Sequence, residues 1–296
     1  MRSSVARLAA ALLFALLAAG AAVALAAPFS RGVLFRIDAP GKPPSWVLGT
    51  MHSNDARVTR IPAVVRDALS GSRRLAPEIL LSQADAPDFF AAAQFDDQRR
   101  LADHFDAATL AQIRAALGSD LPPPDVFERL KPWAVMMRLA QVPAGGGGPT
   151  LDEILVADAR SRRLNVIGLE LPEEQVAALD TIPVASQVAL VRWMLAHRAE
   201  LPANHEKTVQ AWLARDLARL AALAAAPGRA DPAMAPHFGE LAQHVVVNRS
   251  VQFAHRLYLP LRGGGVFVAV GALHLYGPDG LLALIRDQGY RVRRVY

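Results

Sequence analysis

Short, continuously apolar runs alternate along this chain with longer stretches in which apolar residues recur at helical spacing. Runs of the first kind predict buried strands, and stretches of the second kind predict amphipathic helices. The predicted strands are residues 33–37, 46–49, 73–80, 164–170, 266–270 and 290–295. Because strands and helices alternate at both ends of the chain, the pattern predicts an α/β (α+β) fold with a central mixed sheet flanked by helices.

The segments between the predicted strands carry most of the helical pattern. The turn-rich segment 39–44 predicts a hairpin between the first two strands, and Pro77 predicts an edge or a bulge in the third. A large helical insertion, about residues 87–145, is expected between the N- and C-terminal sheet-forming parts. The predicted helices are residues 61–69, 89–95, 107–117, 126–139, 151–163, 173–179, 184–198, 205–225 (ending at Pro227-Gly228), 236–258 and 281–288.

The first 26 residues are typical of a targeting segment. Arg2 and Arg7 are followed by an apolar, alanine-rich run that ends in the A-x-A sequence of residues 24–26. This pattern predicts a cleaved signal peptide over residues 1–26, a single mature domain over 27–296, and a periplasmic or secreted location. The alternative is an uncleaved N-terminal anchor. No other apolar run is long enough to span a membrane, so no integral membrane segment is expected after cleavage.

Composition narrows the classes of function. Hydrophobic residues make up 52% of the chain, enough for an ample core, and the absence of cysteine excludes a disulfide, a thiolate nucleophile and a thiolate metal site. The formal charge of +5 falls to +3 without Arg2 and Arg7. This modest excess, on scattered arginines without interleaved aromatics, argues against nucleic-acid binding. Composition leaves the oligomeric state open.

Two copies of Gly-x-x-His, each at the end of an apolar run, are the main candidate chemistry. Residues 49–52 end in His52, and residues 271–274 end in His274, 222 positions further on. Glycine opens the backbone where each predicted strand ends. A titratable group at the end of a buried strand is where α/β proteins place their chemistry, so we expect the fold to bring the two histidines together.

Glu78 is the candidate carboxylate partner of the two histidines, because it lies in the predicted strand that follows the first motif. A carboxylate is costly to bury unless it is paired or bound to a metal. Two histidines and a glutamate form a ligand set for a catalytic metal with an open position. Without metal, the same trio can activate a water as a general base. The alternative is that Glu78 points to solvent from an edge strand.

Four further residues are candidates for the same cleft. Arg249, beside Asn248 in a predicted helix, can hold an oxyanion or a carboxylate with two parallel bonds, although a surface arginine is the alternative. Glu170 ends a predicted strand and lines this cleft or caps the next helix. His244 shares a helix face with Asn248. The chain has no G-x-S-x-G, H-E-x-x-H or Walker A motif.

In their order and spacing, these residues resemble the TraB/GumN family, which is related to the Tiki metalloproteases. The similarity runs from about Gly32 to the end of the chain. It implies metal-dependent peptide-bond hydrolysis by a peptidase-like enzyme, with a peptide or small molecule as substrate and Mn²⁺, Co²⁺ or Zn²⁺ held by His52 and His274. Glu78 would then be a third ligand or the base, and Arg249 would stabilise the oxyanion.

The wider relatives of that family imply other uses of a similar architecture. They include erythromycin-esterase-like proteins and ChaN-like haem-binding proteins. One alternative is therefore a non-catalytic envelope protein that binds haem or a polysaccharide-related ligand. Another is a metal-free esterase, whose activity would survive a chelator.

Overall fold

The computed structural model of the protein describes residues 29–80, 86–141 and 148–296. Its centre is a mixed six-stranded sheet of order β4-β3-β5-β2-β1-β6, which confirms the predicted α/β fold. β1 pairs antiparallel with β2, as the hairpin pattern predicts, and also with β6, whereas β2, β5, β3 and β4 run parallel. The strands are β1 (Leu34–Asp38), β2 (Ser45–Thr50), β3 (Arg74–Pro77), β4 (Asn165–Val166), β5 (Val266–Gly271) and β6 (Arg291–Arg294).

Helices fill the intervals between the strands. Among those of the described residues, none combines the length and apolar character needed to cross a membrane. They are α1 (Ala56–Thr59), α2 (Ala63–Ser70), α3 (Ala86–Ala92), α4 (Ala107–Leu117), α5 (Pro124–Arg129), α6 (Pro132–Leu139), α7 (Leu151–Ser161), α8 (Pro172–Asp180), α9 (Val184–Ala196), α10 (Leu201–Leu213), α11 (Leu217–Ala230), α12 (Ala235–Ala242), α13 (Asn248–Gly263) and α14 (Leu281–Asp287).

The apolar side chains form two cores. The larger core surrounds the sheet, and β5 lies at its centre with Val266, Phe267 and Val268 fully buried. The smaller core joins side chains of α4–α6, such as Trp133, to side chains of α8 and α9, such as Leu190. The helices predicted as an insertion therefore pack on later helices as well as on one another. The predicted signal peptide, residues 81–85 and residues 142–147 lie outside the described residues.

The third strand departs from its prediction. β3 lies between β4 and β5, so Pro77 is not on an edge strand. Proline is tolerated there because it is the last residue of the strand, where its carbonyl still accepts the amide of Leu169 at 2.9 Å. β4 is only two residues long, although a backbone bridge between Ile79 and Glu170 continues the pairing beyond it.

Three helix predictions also fail at their boundaries. The helix predicted over residues 126–139 is divided at Leu130 and Lys131 into α5 and α6. The helix predicted over residues 205–225 is split at Arg215, whose φ of 57° ends α10, and the carboxylate of Asp216 then caps α11. α11 continues through Pro227 to Ala230, so the helix end expected at Pro227-Gly228 is wrong. The helix predicted over residues 236–258 contains a π-helical turn, Gln243–Val247, between α12 and α13.

Candidate functional site

Three neighbouring parallel strands end at one edge of the sheet, and each is followed by a candidate residue. His52 follows β2, Glu78 follows β3 and His274 follows β5, the strand between them. Because parallel strands place their carboxyl ends at the same edge, residues far apart in sequence meet there. The two Gly-x-x-His motifs and Glu78 are thus neighbours in the fold.

Glu78 lies at the centre of this group and is 4% exposed. One carboxylate oxygen, Oε2, is 3.8 Å from Nε2 of His52, and the other, Oε1, is 3.6 Å from Nε2 of His274. The backbone amide of Gly271 donates to Oε1. Burial alone would raise the pKa of Glu78, but the contact with His52 and the charges of Arg249 and, in acid, of His274 hold it below its usual value. Glu78 therefore remains ionised at neutral pH.

Arg249 joins Glu78 to a second buried carboxylate. Its Nη2 atom donates to Glu78 at 2.7 Å, its Nε atom donates to Glu170 at 2.9 Å, and Nη1 donates to the carbonyl of Val245 at 3.0 Å. A further bond from Nη2 to Glu170 leaves one of the five guanidinium N–H groups without a bond to these partners. Arg249 is 7% exposed, so it is not a surface arginine.

Glu170 reaches this position through the backbone pairing that continues β4. Its amide donates to the carbonyl of Glu78 at 2.8 Å, and its side chain is fully buried. Burial raises the pKa of Glu170, and the charge of Glu78 acts in the same direction, against the opposing effect of Arg249. The guanidinium lies between two carboxylates and offsets the repulsion between them.

The ring of His52 is oriented by the carboxylate of Asp152, a residue that no sequence motif identified. Its Nδ1 atom is 2.9 Å from Oδ2 of Asp152, and Thr50 donates to the other carboxylate oxygen of Asp152 at 2.7 Å. A carboxylate only accepts, so Nδ1 carries the hydrogen. The bond to Asp152 and the proximity of Glu78 raise the pKa of His52 to about 10. The side chain of His52 is 62% exposed, so this histidine faces solvent.

His274 is the buried counterpart, with a side chain that is 6% exposed. Its Nδ1 atom is 2.9 Å from Oγ of Ser250 and 3.2 Å from the carbonyl of Val246, to which Ser250 itself donates. Nδ1 must therefore carry the hydrogen, which leaves a lone pair on Nε2 toward Glu78. Burial lowers the pKa of His274 to about 4, so the ring is neutral at pH 7.

The π-helical turn supplies the two carbonyls that fix this side of the site. Val245 accepts from Arg249 and Val246 accepts from His274, and both belong to the turn Gln243–Val247. Such turns are frequent at functional sites, because the extra residue changes the direction of carbonyls within a helix.

Two of the candidate residues lie outside the cluster. Asn248 is exposed and its side chain accepts from Gln243 at 2.7 Å. His244 contacts Thr181 at 3.0 Å and Glu240 at 3.5 Å. Within the part of the chain that the structure describes, neither side chain forms a hydrogen bond or an ion pair with the two histidines or with Glu78. Asp152 and Ser250, which no sequence motif identified, lie within the cluster.

Close backbone packing sets the end of β2. A Cβ atom on Gly49 would lie 2.7 Å from Cδ1 of Leu275 and 3.1 Å from Cα of Ala272, so a larger residue would require these neighbours to shift. The carbonyl of Gly49 accepts from the indole of Trp212 at 2.9 Å. The glycine of the first motif thus lets the two Gly-x-x-His segments approach each other.

Comparison with known proteins identifies the family. The sequence model described as the TraB/PrgY/gumN family matches residues 33–294. The chain belongs to the TraB/PrgY/gumN family. Neither the comparison with curated proteins nor the comparison with solved structures gives a match.

Proposed function

We propose that this chain is a metal-dependent hydrolase that acts on a peptide or a small molecule. The observation that carries the proposal is the placement of two imidazole Nε2 atoms beside one ionised carboxylate, each imidazole being fixed through Nδ1 by another group. In metal sites, a second group that holds the far ring nitrogen sets the tautomer and the orientation of the ligand.

Each histidine is close enough to Glu78 for the two side chains to hold one divalent ion between them. Two bonds of about 2.1 Å can bridge at most about 4.2 Å, and Glu78 is 3.8 Å from His52 and 3.6 Å from His274. Over residues 29–80, 86–141 and 148–296, no three side chains of His, Asp or Glu are already arranged to hold a metal ion. Because His52 is exposed, an ion held between these side chains would be open on the solvent side.

The pKa of Glu78 favours one of its two proposed roles. A carboxyl group whose pKa is held low is a weak base at pH 7, but it remains an ionised ligand. We therefore assign to Glu78, His52 and His274 the holding of a divalent ion. When bound, such an ion would supply Lewis acidity toward the scissile carbonyl and the attacking water.

A second group of residues would hold the three proposed metal ligands in position. Arg249 and the amide of Gly271 fix both oxygens of Glu78, Asp152 orients His52, and Ser250 orients His274. Four of the Arg249 donors are already engaged. We therefore propose that Arg249 positions Glu78, rather than binding an oxyanion of the substrate. Substrate would approach from the side of His52, which is exposed.

Metal binding by the purified protein tests this proposal. After treatment with a chelator and dialysis, titration with Mn²⁺, Co²⁺ or Zn²⁺ should show about one bound ion per chain, and His52→Ala with His274→Ala should abolish it. The matched control is His197→Ala with His255→Ala, two histidines outside the cluster, which should leave the stoichiometry unchanged. Equal metal content in both double variants would refute the proposal.

A second candidate is a metal-free hydrolase, and the protonation states of the two histidines favour it. At pH 7, His52 carries a proton on each ring nitrogen and His274 presents a free lone pair, on either side of Glu78. A protonated and a neutral imidazole can serve as acid and base in one reaction. Activity toward peptide or ester substrates that survives chelation and is lost in His274→Gln would support this candidate over the metal-dependent one.

A further inference from the structure

Three arginine side chains surround one open cavity at the side of the sheet formed by β1 and β6. The cavity has a volume of about 230 Å³ and is lined by Arg31, Arg215 and Arg294, together with Tyr296. Arg31 precedes β1, Arg215 lies between α10 and α11, and Arg294 ends β6. None of these residues belongs to the cluster around Glu78.

The backbone is shaped around these arginines. Arg215 has a φ of 57°, a left-handed conformation that is uncommon for a residue with a side chain. Its carbonyl accepts from Gly32 at 2.7 Å, and Arg31 forms a bridge with Asp216. Gly32 has a φ of 105°, and a Cβ atom there would lie 2.5 Å from Cγ of Arg294. Because Gly32 has no side chain, the side chain of Arg294 can cross the backbone at this point.

The side chains around the cavity carry an excess of positive charge. Asp216 pairs with Arg31 at 3.1 Å, in a contact where Arg31 is 58% exposed. The guanidinium of Arg215 packs on the ring of Tyr296, 4.2 Å from its centre, which leaves its N–H edges available. Among the described residues, neither Arg215 nor Arg294 forms an ion pair with a side-chain carboxylate. The main-chain oxygen of Tyr296, which accepts from the amides of Val33 and Leu34, also lies beside Gly32. Positive guanidinium groups that line one cavity attract an anion.

We propose that this cavity binds an oxyanion of the phosphate class. The planar guanidinium presents parallel N–H donors that match phosphate oxygens, and the two unpaired guanidinium groups suit a dianion better than a single carboxylate. The cavity exceeds the share of about 30 Å³ that one water occupies, so a tetrahedral anion has room. The anion would be free phosphate or a phosphate monoester on a larger molecule such as a lipid headgroup.

Titration of the full chain with inorganic phosphate tests the proposal. Calorimetry is performed on chelator-treated protein in a buffer of low ionic strength, so that neither bound metal nor salt interferes. The variant Arg215→Gln with Arg294→Gln should weaken binding at least about tenfold. The matched control is Arg160→Gln with Arg291→Gln, two exposed arginines elsewhere, which removes the same charge and should change affinity by less than about twofold.

Two further measurements keep the test decisive. Arg294→Gln alone leaves the backbone of Arg215 and its packing on Tyr296 intact, so weaker binding in this variant supports the site even where the double variant fails to fold. Flotation with phosphatidylcholine vesicles that contain phosphatidic acid then distinguishes a lipid phosphate from free phosphate. The proposal is overturned where Arg294→Gln matches wild type with phosphate and with vesicles, or where wild type binds neither.

Discussion

Replacing Arg249 with methionine is the most direct perturbation of the buried charge network. The substitution removes the guanidinium that lies between Glu78 and Glu170, whose side chains are 5% and 0% exposed. Methionine retains most of the aliphatic length of arginine, so the loss is mainly one of charge and hydrogen bonds. Two carboxylates would then share a buried site without a cation.

The structure sets the size of the effect. Removing one partner of a buried ion pair costs about 3–5 kcal/mol of folding free energy, because the other charge remains buried and uncompensated. Burial already raises the pKa of Glu170, so this residue can take up a proton and limit the loss. We therefore expect about 3–5 kcal/mol at pH 7 and a smaller loss near pH 5, where protonation of Glu170 is easier.

Urea denaturation followed by circular dichroism measures this difference. Arg256→Met on the same helix is the matched control, because Arg256 pairs with Glu174 where both side chains are about one-third exposed. Such a pair contributes about 0–1 kcal/mol. Adding Glu170→Gln to Arg249→Met should recover part of the stability, since it removes one of the two unpaired carboxylates.

A loss of stability at Arg249 no larger than that at Arg256 would contradict the expected cost of two unpaired buried carboxylates. A double variant no more stable than Arg249→Met alone would contradict it as well. Either result would mean that water or a rearrangement of the strand ends replaces the guanidinium without difficulty.

Three further predictions concern the surroundings of the site. Asp152→Asn should lower metal affinity about 10- to 100-fold by calorimetry, because the carboxylate behind His52 orients the ring; unchanged affinity would contradict this role. Because Asp152 and Glu78 raise the pKa of His52 from 6.5 to about 10, its protonated ring stabilises the metal-free fold fully below pH 6.5 and progressively less toward pH 10. The Tm difference between wild type and His52→Gln should shrink across that interval, and a constant difference would contradict the assignment. Gly49→Ala should destabilise the fold by about 1–3 kcal/mol in urea, because the new methyl group would lie 2.7 Å from Leu275; a variant as stable as wild type would show that this contact is soft.

The ends of β2 and β5 could be predicted from sequence, because apolar runs that stop at a glycine are local signals. The runs before His52 and His274 predicted β2 and β5, and the parallel pairing of these strands explains why the two histidines lie close together. The burial of Glu78 was harder to predict from the sequence. Pro77 suggested an edge strand, whereas β4 and the segment after it cover β3 on its outer side.

The residues behind the histidines depend on tertiary structure that no local pattern encodes. Asp152 lies in the first turn of α7, where an acid is ordinarily explained by the helix dipole. Its contact with His52 spans 100 positions and depends on how α7 packs beside the sheet. Ser250 reaches His274 because the π-helical turn shifts the start of α13, and a one-residue change of helical register leaves little trace in apolar periodicity.

The central position of β5 bears on how the protein is made. β5 separates β2 from β3, and it pairs Phe267 with Trp46, so the middle of the sheet closes only when a late segment meets two early ones. At about 5–20 residues per second, a ribosome would take roughly 10–45 s to travel between these strands. During that time β2 and β3 expose unpaired backbone edges that favour aggregation. Because β5 also carries His274, a nascent chain cannot acquire the candidate site before the centre of its sheet has closed.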